Sequence, residues 1–125
     1  MGSEMCIRDR IKHAFPFVFY AYAARCQRGE LHPGVVAVHS TATNPRYIVS
    51  FPTKQHWRNP SKLEWINSGL IDLRRAIDDF GIKSIAIPPL GCGLGGLAWQ
   101  DVRELIVSRL GDIDVDVVLY VPRAS

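Results

Sequence analysis

Eight residues, LeuGlyCysGlyLeuGlyGlyLeu at 90–97, hold four glycines and separate an apolar run from a helical one. Ile82 to Pro88 reads as a buried strand, and the pattern from about Trp99 to Leu110 as a helix. A last strand is expected over Val115 to Val121. A strand that ends in a glycine loop, restarts as a helix and returns as a strand restricts the chain to a layered α/β fold, because the crossover helix must cover the sheet.

The rest of the chain fits that frame. Leu63, Ile66, Leu70, Leu73 and Ile77 recur at helical spacing between Ser61 and Phe80, with Gly81 as the stop. Ser61 stands three residues before Glu64, the pattern of a capping box. An earlier helix is expected over Ile11 to Arg28, where Phe15, Phe19, Tyr22, Ala23 and Cys26 repeat at three and four and Pro16 falls near the first turn. Val35 to His39 and Arg46 to Phe51 read as adjacent strands joined by the turn-like ThrAsnPro at 43–45. No internal repeat or compositional break marks a second domain. MetGlySerGluMetCysIleArgAspArg at 1–10 carries neither period and reads as an appended leader or a sequencing-adapter scar, leaving 11–125 as the folded unit.

Composition excludes some classes and decides little else. No apolar run approaches the roughly 20 residues that span a bilayer, and the start lacks the order of a secretory signal, so the cytoplasm is the expected compartment. Cys6, Cys26 and Cys92 are odd in number and widely spaced, giving no disulfide framework and no metal-ligand cluster. The net charge of +3 is too small for a dedicated nucleic-acid binder, though it favours an anionic partner.

The glycine loop is the feature that carries chemistry. Backbone without side chains at the start of a helix brings several N–H groups close to a phosphate. Gly91, Gly93 and Gly96 satisfy GxGxxG, but a dinucleotide site also needs an acid at the end of the following strand, and Asp112, Asp114 and Asp116 come before or at its start. The glycines are equally compatible with a tight turn that only lets strand and helix pack. Cys92 reads either as a thiol activated at a helix N-terminus or as a small packed residue, and His13, His32, His39 and His56 stand in no recognisable spacing to it as a base.

Lys54 follows a strand directly, at the kind of strand end where functional residues of α/β folds collect; alone, such a lysine is more often a solvated loop charge. Taken together, PheProThrLys at 51–54, HisTrpArg at 56–58 and ProLeuGlyCysGlyLeuGlyGlyLeu at 89–97 with Trp99 resemble one family, the DarG-type macrodomains, which are DNA ADP-ribosyl glycohydrolase antitoxins. The resemblance runs from about residue 12 to 121.

That resemblance implies a three-layer mixed sheet with helices on both faces. It implies that Pro88, Leu90, Gly91, Cys92, Gly93, Leu94, Gly95 and Gly96 bind ADP-ribose around its diphosphate and distal ribose, with no cofactor. By match Lys54 is catalytic, acting as a nucleophile on the anomeric carbon or as a charge that stabilises the departing base. Thr53, His56, Trp57 and Arg58 become candidates for the DNA side, Trp57 stacking on a base and Arg58 meeting phosphate, unless Trp57 is core and Arg58 a surface charge. Related hydrolases carry an aspartate where this chain has Gly95, so no loop carboxylate is expected. Two first strands of the family pattern find no counterpart before His13, so a partial macrodomain is expected. The implied substrate is single-stranded DNA bearing ADP-ribose on thymidine, and the implied partner a DarT-type toxin; ADP-ribose binding without turnover, or hydrolysis from protein, are the alternatives.

Overall fold

The structure, a computed structural model, describes residues 16–42, 45–54, 60–93 and 95–122. Its elements in order are α1 (Pro16–Gln27), β1 (Ala37–Ser40), β2 (Tyr47–Ser50), α2 (Leu63–Phe80), β3 (Ser84–Ile87), α3 (Trp99–Leu110) and β4 (Asp116–Leu119). The α/β class expected from the sequence is the class observed. Residues 11–15 of the expected first helix and 43–44 of the expected turn lie outside the described residues.

The core is the seam between α2 and α3. Ile66, Leu70 and Ile77 from α2 meet Val102, Ile106 and Leu110 from α3, and these are the largest fully buried side chains. Each contributes about 1.5–3 kcal/mol by leaving water. The ion pair from Arg74 of α2 to Asp112, just past α3, at 2.7 Å is exposed and worth at most about 1 kcal/mol, so packing decides stability here.

One face of every strand rests on this helical layer. Val38 of β1, Tyr47 and Val49 of β2, Ile85 and Ile87 of β3, and Val117 and Leu119 of β4 all join the core, the period of two that a pleated strand imposes. Among the described residues the strands form two ladders: β1 and β2 are antiparallel, with Val38 opposite Val49, and β3 and β4 are parallel, with Ile85 opposite Val117. On the other face His39 stands near Arg25 of α1; burial and then that positive charge hold its imidazole below its ordinary pKa.

Three expectations need correction. The strand expected to be buried over Ile82 to Pro88 is ordered as a strand only from Ser84 to Ile87 and alternates, with Ser84 and Ala86 exposed, because only one of its faces meets the helices among the described residues. The strands before it and after it are likewise shorter than their sequence patterns. Ser61 caps nothing: the N-cap of α2 is Lys62, with no side-chain hydrogen bond, and Ser61 lies one residue outside the helix. The stop at Gly81 is as expected. Its φ of 64° is left-handed, and the Ile82 N–H donates back to the Ile77 carbonyl at 3.0 Å, which closes the helix.

Candidate functional site

The glycine loop leaves the carboxyl end of β3 and enters α3, the end of a parallel strand at which α/β folds hold ligands. Its curvature is set by two left-handed glycines, Gly91 with φ 72° and Gly96 with φ 79°. The Leu97 N–H donates to the Gly91 carbonyl at 2.9 Å, and the Gly96 N–H to the Gly93 carbonyl at 3.2 Å, so the loop closes on itself. Among the described residues, no backbone acceptor takes the N–H groups of Gly91, Gly93 or Gly95. A loop that spends its carbonyls on its own turns and leaves N–H groups over is suited to an anion.

The loop is docked on the start of α2. The Ser61 N–H donates to the Gly95 carbonyl at 3.0 Å. Gly95 is buried, and a Cβ placed on it would collide with the Gly91 carbonyl oxygen and with Ser61 Oγ. A Cβ on Gly91 would lie 2.8 Å from Leu97 Cδ1 and 3.2 Å from Ser61 Cβ. At Gly95 the clash with a main-chain carbonyl leaves no room for a side chain, the aspartate expected from related hydrolases included, and at Gly91 the left-handed φ disfavours one.

A second set of contacts fixes where the Lys54 segment goes. Tyr47, at the start of β2, meets Phe80, at the end of α2, edge to face at 5.6 Å. Phe51, just past β2, lies over Gly69, where a Cβ would stand 2.8 Å from Phe51 Cε1. β2 thus runs along α2 from its carboxyl end towards its amino end. From Gly69 to Leu63 is about 9 Å of α2 axis, and Lys54, three residues beyond Phe51, reaches at most about 10 Å further. The chain past Phe51 therefore starts out in the direction of the amino end of α2, next to which Ser61 holds the glycine loop. Thr53 and Lys54 are half-buried, and Pro52 between them and Phe51 is buried.

Of the residues singled out from sequence, Leu90, Gly91 and Gly95 are buried, Pro88 and Cys92 half-buried, and Gly93 and Gly96 exposed. Leu94, His56, Trp57 and Arg58 lie outside the described residues. Cys92 Sγ turns towards the Leu90 carbonyl at 3.6 Å, as a small packed residue does. Among the described residues no group of His, Cys, Asp and Glu is arranged to hold a metal ion. Asp116 opens β4 rather than ending it, so the ribose-binding acid of a dinucleotide site is not supplied from there.

Comparison with known proteins decides the family, since the sequence pattern described as Macro domain matches residues 1–106. The chain belongs to the macrodomain family. This macrodomain is 47% identical over 125 residues to a Mycobacterium tuberculosis protein named DNA ADP-ribosyl glycohydrolase; that match takes in 98% of the chain and 35% of the relative. It superposes on the solved macrodomain of Mycobacterium tuberculosis DarG with a TM-score of 0.89 at 47% identity, covering 94% of this chain and 79% of that one. Thermosipho africanus DarTG, solved in complex with ADP-ribose, matches with a TM-score of 0.84 at 32% identity, covering 95% of this chain and 35% of that one. The chain thus spans about a third of the length of the named relative. The family match also takes in residues 1–10, which lie outside the described residues.

Two features of this macrodomain escaped the sequence reading. Ser61 was visible only as a helix cap, and its contact with Gly95 joins residues far apart in the chain. Gly69 gave a signal that was not used: an isolated glycine on the buried face of an amphipathic helix marks a close approach by another element.

Proposed function

We propose that this macrodomain is an ADP-ribosyl glycohydrolase that removes ADP-ribose from thymidine of single-stranded DNA, as the antitoxin of a DarT-type ADP-ribosyltransferase, in the cytoplasm and in a DNA-repair role. The observation that carries this reading is a glycine loop with N–H groups unclaimed by backbone acceptors among the described residues, in a chain with a half-buried Lys54 that is 47% identical to a DNA ADP-ribosyl glycohydrolase. The toxin pairing draws on a 32% identical Thermosipho africanus relative named as a fusion of DNA ADP-ribosyl transferase and glycohydrolase.

In this reading the loop from Leu90 to Gly96 holds the diphosphate and turns the distal ribose towards Lys54. The Lys54 amine attacks the anomeric carbon, the carbon–nitrogen bond to thymine breaks, and the thymine nitrogen takes a proton. Water then hydrolyses the lysyl adduct, giving free ADP-ribose and unmodified DNA. Thr53, His56, Trp57 and Arg58 contact the DNA strand on the thymine side.

The test compares the chain with Lys54→Ala on a single-stranded oligonucleotide bearing ADP-ribosylated thymidine, following free ADP-ribose by mass spectrometry. Release by the parent at least about a hundredfold faster than by the variant is expected, and equal release would remove Lys54 from the chemistry. A second reading, ADP-ribose binding without turnover, draws on Gly95, whose surroundings exclude a loop carboxylate. Tight binding with no release by the parent would favour it.

A further inference from the structure

Ser61 is 6% exposed, and its Oγ is the buried side-chain oxygen that finds no hydrogen-bond partner among the described residues. A buried hydroxyl left unpaired costs about 1–3 kcal/mol, and an alanine would fill nearly the same space without that cost. The hydroxyl sits where the side chains of the loop glycines are missing. It touches the position a Gly95 Cβ would take, Ser61 Cβ stands 3.2 Å from the corresponding point on Gly91, and the Ser61 main-chain N–H holds the Gly95 carbonyl. The loop seals it from solvent, so a ligand lying on the outer side of the loop does not touch it.

We propose that Ser61 is a positioning residue for the glycine loop: its hydroxyl takes a hydrogen bond from one loop N–H when the others close on an anionic phosphate, so that it favours the ligand-bound loop over the free one. The inference rests on the reading of the loop as the diphosphate site. It separates the two roles of the residue. The main-chain N–H, which any residue would supply, docks the loop in both states, and the side-chain oxygen acts only on the bound state.

The experiment measures ADP-ribose affinity by titration calorimetry, together with the thermal midpoint of the empty protein, for the parent and Ser61→Ala. The inference expects a midpoint unchanged or raised and an affinity roughly tenfold lower, about 1.4 kcal/mol. A merely structural serine would lower the midpoint of the empty protein instead. Equal affinity in the two proteins, or a lowered midpoint that accounts for the affinity loss, overturns the inference while leaving the diphosphate reading intact. A parent that does not bind ADP-ribose overturns both. Gly95→Ala, which places a methyl group against the same hydroxyl, serves as the loop control: it loses affinity if the loop is the binding site, whatever Ser61 does.

Discussion

Gly69→Ala tests the contact that directs the Lys54 segment. In an exposed helix the change stabilises by about 0.8–1.0 kcal/mol, because alanine loses less backbone freedom on folding. Gly69 is buried under the Phe51 ring, where the new methyl carbon would stand 2.8 Å from Cε1 and 3.0 Å from Cε2. Such atoms separate only if the ring moves, and Phe51 is held between β2 and the buried Pro52. Forcing a methyl group into a packed site costs about 1–3 kcal/mol. The packing term exceeds the propensity term, so a net loss of about 1 kcal/mol is expected, a fall of about 3–5 °C in thermal midpoint for a chain of this size. The assay is thermal and urea unfolding of Gly69→Ala, Phe51→Ala and the double variant. With the ring removed, the alanine at 69 regains its helical advantage, so the cycle shows a coupling of about 1 kcal/mol or more. A Gly69→Ala protein that melts higher than the parent, with additive effects in the double variant, would refute the packing of Phe51 on α2.

Two further outcomes are expected. Gly95→Asp, the residue that related hydrolases use, fails to add an acid catalyst: its side chain meets the Gly91 carbonyl and Ser61, and calorimetry shows ADP-ribose affinity falling by more than roughly tenfold. Asp72→Asn lowers stability at neutral pH and not in acid. Burial raises the Asp72 pKa, but the hydrogen bonds from Arg75 and from the Val36 N–H, with the charge of Arg75, outweigh it and hold the carboxyl below its ordinary value. The stability it gives is therefore full above the unfolded pKa of about 3.9 and is lost as pH falls through the lower folded value. Urea unfolding should separate parent from variant by about 1 kcal/mol at pH 7, with the difference shrinking as pH falls below the ordinary aspartate value, and a constant separation would contradict the assignment.

The elements whose signal is periodic were legible in the sequence. α3 occupies the expected Trp99–Leu110, and α2 ends at Phe80 before Gly81 as expected, because amphipathic spacing and a left-handed glycine are local properties. The strands were overextended, since Ile82, Pro88 and Val121 suit an apolar run in sequence but flank the ladder in space. Ser61 was misread for a related reason: the serine-to-glutamate spacing is local, and the competing contact with Gly95 is not. In the candidate site, the glycine loop and Lys54 were each visible as residues, while the course of the segment that carries Lys54 was not. It depends on the direction of β2 along α2, which the contacts at Tyr47 and Phe51 fix and which no spacing in the sequence encodes.

The seam between α2 and α3 has a kinetic consequence. Its fully buried side chains all come from one contiguous stretch, 66–110, and the parallel ladder that brackets α3 pairs β3, inside that stretch, with β4 just after it. That stretch is expected to open as one unit, its amides exchanging with the whole domain, and the short β1–β2 hairpin to open at lower free energy. The glycine loop lies inside the first and Lys54 at the margin of the second. Hydrogen exchange is therefore expected to run on two clocks in one small fold, slow in the loop and fast beside Lys54.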